Sequence, residues 1–166
     1  MSIPPNNGRR TMLPQTTTHL DWRSTMDINP TSGQVTIAQS GQVFAAINPN
    51  FERWRTDVPG PNTSSGMMKV YSVIKEGDFT AIFSSIGRDW RLHLPTQGQI
   101  AMLCWAFPEC LPSDATTFFG FQVHQENDLF VAGIRKEKGA LLVAPYRMND
   151  PHVWPIRHPR RVVFFQ

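Results

Sequence analysis

The sequence predicts an all-β fold, a β-sandwich or jelly-roll-like barrel carried behind a flexible N-terminal arm. Three observations lead there. Fourteen Pro and eleven Gly divide the 166 residues into short pieces, which disfavours long helices. Val, Ile, Phe and Thr gather in short runs bounded by turn residues, the pattern of strands joined by tight connections. Apolar residues make up 40% of the chain and charged residues only 17%, enough for one domain with a real core and some apolar surface left for a partner. The alternative is an α+β domain in which segments 50–56 and 100–107 are short helices.

Taken in order, residues 1–31 lack apolar periodicity and are rich in Pro, Asn, Thr and Gln, with a Thr16–Thr18 run. They read as an extended or disordered arm. Trp22 is the exception, expected to dock on its own domain or on a neighbouring subunit. Residues 32–166 read as a single β-rich domain. "GQVTIAQSGQVFAAIN", Gly33–Asn48, is expected to be a hairpin around Ser40-Gly41. Residues 48–66 form a loop, with one helical turn at "FERW". "MMKVYSVI" and "FTAIFSSI" flank "KEGD" as a second hairpin, and "DWRLHL" alternates as a half-buried strand. "QIAMLCWAF" is either a doubly buried strand or a short buried helix. "TFFGFQVH", "LFVAGI", "ALLVAPY" and "RRVVFFQ" complete the strands. No internal repeat is present.

Several functional classes find no support. No apolar run is long enough to span a membrane as a helix, and "MSIPPNNGRR" does not have the form of a secretory signal. Neither a P-loop nor a dinucleotide glycine fingerprint occurs, so no cofactor is expected. The histidines His19, His93, His124, His152 and His158 form no close pair. Cys104 and Cys110 are spaced too widely for a zinc knuckle, so no metal is expected either. Glu126 and Asp128 sit in an ordinary acidic turn. Two cysteines do not make a disulfide scaffold, and they suit a reducing compartment; one local disulfide remains open.

Charge is unevenly placed. The whole chain carries +3, yet residues 134–166 hold seven Lys/Arg against two acids, a local +5. Arg135, Lys136, Lys138, Arg157, Arg160 and Arg161 are therefore the candidates for phosphate contact. Phe118, Phe119 and Phe121 belong either to a two-sided core or to a stacking surface. No aromatic/basic ribonucleoprotein motif accompanies them.

Two short stretches resemble known families. "PTQGQIAMLCWAF" is similar to the nucleophile region of papain-like cysteine proteases. That resemblance implies a Cys104 thiolate, Gln97 or Gln99 as oxyanion donor, and His152 or His158 as base. The residue-level alternative is a Cys104 that packs as a small hydrophobe. "VVFFQ" at the C-terminal end resembles the residues preceding the bond cut by chymotrypsin-like cysteine proteases of picorna-like viruses. In that resemblance Gln166, Phe165 and Val163 fill the protease pockets of an extended substrate. With Met1 at the start, it implies the first product of a viral polyprotein.

The expectation is a non-enzymatic viral structural protein of coat or matrix type. It would self-associate as a homo-oligomer and contact RNA through its basic C-terminal region, in the virion or the host cytoplasm. A viral leader or accessory protein that binds a host protein is the second reading, and a Cys104 protease the third.

Overall fold

β-Rich composition resolves into a single mixed sheet of seven strands in the computed structural model, which describes residues 19–123 and 128–166. The strands are β1 (Leu20–Ile28), β2 (Ala46–Ile47), β3 (Gly66–Val73), β4 (Thr116–Val123), β5 (Asp128–Glu137), β6 (Ala140–Arg147) and β7 (Arg160–Phe165), in spatial order β1-β3-β7-β4-β5-β6-β2. β7 lies between β3 and β4, antiparallel to the first and parallel to the second. β5 and β6 form a hairpin closed by Lys138-Gly139, both at positive φ. That is the backbone a two-residue turn needs to match strand twist.

Both faces of the sheet carry apolar side chains, and short helices cover them. On one face Met68, Val70, Phe119, Phe121, Phe130, Ala132 and Val163 meet Phe51 of α1 (Asn50–Arg53), Ile100, Leu103 and Cys104 of α3 (Gln97–Ala106), and loop residues Ile37 and Phe44. On the other, Tyr71, Phe118, Val131, Val162 and Phe164 meet Phe79, Ile82 and Phe83 of α2 (Phe79–Ser84), with Ile86 and Trp90 beyond it. Two-sided burial explains why "VVFF" and "TFFGF" read as continuous apolar runs, and it places all three phenylalanines of the second run in the core.

In the second layer α2 and the Trp90–His93 turn stand where the sequence predicts strands, while α1 and α3 take the helical options it offers, so the arrangement is the α+β version of the β-rich prediction. Residues 33–48 do not form a hairpin. They run as successive turns that lower Ile37 and Phe44 onto the sheet, and only Ala46–Ile47 pairs, parallel to β6. "FTAIFSSI" is helix α2, not a strand. Asp78 caps it by accepting from the Ala81 N–H at 2.8 Å, and Phe79, Ile82 and Phe83 recur at helical spacing on one side. "DWRLHL" is a 3₁₀ turn at Trp90–His93, with Trp90 buried and Leu92 80% exposed, so the alternation expected there does not occur.

"QIAMLCWAF" takes the helical option under a capping box. Thr96 Oγ1 accepts from the Gln99 N–H, and Gln99 Oε1 accepts from the Thr96 N–H. Leu20–Ile28, inside the expected arm, is the edge strand β1, paired along β3 with one irregularity at Trp22/Ser24. The domain therefore begins no later than Leu20. The remainder of the predicted arm, residues 1–18, lies outside the described residues, as do His124 and Glu126.

Candidate nucleic-acid interface

Alternation along the strands sorts the six basic candidates by face. Arg160 begins β7 opposite Thr116 of β4, and the β4–β5 register brings Thr116 opposite Arg135. Arg160, Thr116 and Arg135 thus form a row across three adjacent strands on the face that α2 only partly covers. At the ordinary strand spacing the two arginine backbones stand about 10 Å apart. Lys136 and Arg161, one residue further along their strands, point to the opposite face. Lys136 Nζ donates to the Pro108 carbonyl at 3.1 Å, and Arg161 Nη1 donates to the Cys110 carbonyl at 3.2 Å. Both anchor the Pro108–Cys110 turn. Lys138 sits exposed in the β5–β6 turn, and Arg157 is exposed in the loop before β7.

Arg160 is held firmly. Its Nη1 donates to the Pro155 carbonyl and to the His158 carbonyl, the latter at 3.0 Å, and its guanidinium lies 5.0 Å from the Trp154 ring centre. Burial lowers its pKa from the usual value, with Tyr146 opposing that and Arg157 adding to it; the group remains a cation at physiological pH. Arg135 is more open, and its exposed ion pair with Glu137 at 3.3 Å contributes little to stability. Around these side chains lies a groove of about 320 Å³, lined by Asp114, Thr116, Arg135, Glu137, His158 and Arg160 among others.

Beside it, sharing Thr116 and Arg135, lies a larger groove of about 490 Å³. Its floor is the side of the β5–β6 hairpin that no described helix covers: Leu142 and Ala144, with Gly133 beneath the Tyr146 ring. Tyr146 and Trp154 form its wall. Sequence reasoning missed both of these aromatics. Tyr146 was one of two tyrosines and sat in an ordinary strand run; Trp154 lay in a Pro-rich loop. Their spacing across a strand from the basic residues was the only available signal, and it depends on register.

The protease arrangement does not assemble. Cys104 is buried in the sheet-facing side of α3, where burial pushes its thiol far up from the usual range. A thiolate nucleophile needs the reverse shift. His152 stacks edge-on against Trp154 at 4.5 Å, and Trp154 packs against the cluster on the other face of the sheet. His158 lies on that face too, in the smaller groove. Gln97 is a structural tie. Its Oε1 accepts from the Ile37 N–H and its Nε2 donates to the Thr56 carbonyl, while Gln99 is spent on the capping box. Cys110 is a free thiol, raised by burial and Glu109 with Arg161 opposing.

Val163, Phe165 and Gln166 are part of the sheet. Gln166 exchanges both backbone hydrogen bonds with Met67, and the Phe165 ring fills the space above Gly66, where a Cβ would approach it to 2.4 Å.

Among the described residues no group of three or more His, Cys, Asp and Glu is placed to hold a metal ion, and no helix is long and apolar enough to cross a membrane. Comparison with protein-family models, with curated protein sequences and with solved structures finds no match to this chain.

Proposed function

We propose that this chain is a non-enzymatic structural protein of a virus, of coat or matrix type, that self-associates and contacts RNA through its basic C-terminal third. The observation that carries the RNA part is the Arg160–Thr116–Arg135 row on the open part of the sheet, with Arg157 and Lys138 exposed at its two sides. Fixed cations beside an aromatic groove favour a polyanion whose charges are regularly spaced. Lys136 and Arg161 are assigned to the fold and not to RNA.

Self-association is supported by large apolar groups left at the surface, Leu92, Trp105, Val153 and Ile156, and by the long edge strand β1. The viral assignment rests on the likeness of "VVFFQ" to a processing site.

Size-exclusion chromatography with light scattering, together with filter retention of RNA across a salt series, tests the reading. Oligomers and a log–log salt slope of about −3, for roughly four phosphate contacts on a single strand, are expected. A strict monomer that retains no RNA at low salt overturns it. The leader or accessory reading is favoured by Trp105, 66% exposed at the end of α3. Under it, immobilised chain would retain a host protein in preference to further copies of itself, and Trp105→Ala would abolish that retention.

A further inference from the structure

We propose that the groove walled by Tyr146 and Trp154 receives an unpaired nucleobase, so that the chain selects single-stranded over double-stranded RNA. This rests on the RNA-contact reading above and specifies the ligand of the same surface.

The shape comes from the floor. Gly133 has no side chain, and a Cβ there would stand 2.7 Å from the Tyr146 ring and 3.2 Å from the Phe118 ring. The Tyr146 ring thus lies down over Gly133, and across the hairpin Gly133 pairs with Ala144, whose small side chain leaves a flat shelf beside Tyr146. The Tyr146 ring is held by three others: Phe79 at 5.7 Å, Phe118 at 6.1 Å and Trp154 at 5.4 Å, the last two nearly perpendicular. A half-buried aromatic locked by its neighbours stacks with little loss of side-chain freedom. At about 490 Å³ the groove is in the range of small-ligand sites.

Charge selects the occupant. The groove opens at Thr116 and Arg135 into the smaller groove that contains Arg160 and His158, where Asp114 and Glu137 also line the wall and Glu137 pairs with Arg135. A base on the shelf would have its phosphates beside two guanidiniums. An apolar peptide would leave those guanidiniums unused. Bases in a duplex are stacked and paired and cannot enter, whereas those of a single strand can be splayed onto an aromatic face.

The test is fluorescence anisotropy with the full chain and labelled RNA of one length, single-stranded or as a duplex, across a salt series. The single strand should bind at least about tenfold more tightly than the duplex, given the energy of one base–aromatic stack. Tyr146→Ala should lower single-strand affinity about tenfold with the salt slope unchanged, and Tyr146→Phe should restore it. Arg135→Ala should instead flatten the slope by about 0.7. Ala144→Glu, which places a carboxylate on the shelf outside the ring cluster, should abolish the single-strand preference even if Tyr146→Ala fails to fold. Equal affinity for duplex and single strand, wild-type affinity in folded Tyr146→Ala, or full displacement of the RNA by an acidic peptide would each overturn the proposal while leaving polyanion contact in place. No retention of either RNA by the wild-type chain overturns both.

Discussion

Gln97 illustrates how much one buried polar side chain organises. It spans the Ile37 N–H and the Thr56 carbonyl, backbone groups of two irregular segments with no ladder to satisfy them. Gln97→Ala leaves both without a partner, and a loss of about 3 kcal/mol is expected by urea denaturation. His19 makes a pH-dependent contribution. Burial lowers its pKa from the usual 6.5, Lys75 adds to this, and Asp78 opposes it. A histidine that resists protonation in the fold gains its proton more readily once unfolded. Its contribution is therefore complete above pH 6.5 and declines as pH falls below that value. The thermal midpoint should drop between about pH 7 and pH 5, and His19→Gln should reduce the drop. An unchanged profile in that variant would assign the pH dependence to another group.

At the scale of elements, the helices carry the clearest lesson. α2 and the strand expected in its place draw on the same residues, and one carboxylate favours the helix. Asp78 accepts from the Ala81 N–H, and the apolar positions then fall at helical intervals against Phe118 and Phe164. Asp78→Ala should cost about 1 kcal/mol, read from chemical denaturation, while Asp78→Asn or Asp78→Ser should cost much less. The Asp78 cap and the Thr96/Gln99 box rest on single polar residues and emerge only with the structure. The sequence reading there rests on β-branched and aromatic content, which cannot separate a buried strand from a buried helix. α3 is apolar nearly all round because it lies between the sheet and the Thr31–Thr63 loop, where Gly98 packs against the Ser32 carbonyl. An amphipathic stripe was therefore absent.

For the whole molecule, the decisive feature is that the last strand lies inside the sheet. β7 separates β3 from β4, and its Val162, Val163 and Phe164 are buried on the two faces. Deleting residues 160–166 should abolish cooperative unfolding, not merely shorten an edge, as measured by near-ultraviolet circular dichroism and a thermal melt. A cooperative transition within about 2 kcal/mol of the intact chain would show that β1–β3 can dock on β4 without it. The long-range pairing of β7 with β3 also makes the fold high in contact order, so slow folding is expected.

By itself the sequence determined the β-rich class, the strands β3 to β7 as apolar runs bounded by turns, and the concentration of positive charge at the C-terminal end. These depend on local composition and period, which a linear reading retains. Only the tertiary structure decided which runs became helices, that β7 is central, and that Arg135 and Arg160 share a face with Tyr146 and Trp154 while Lys136 and Arg161 do not. The reason is register. A side chain on a strand changes face with every residue, and which strands become neighbours is settled by pairing between segments far apart in the chain.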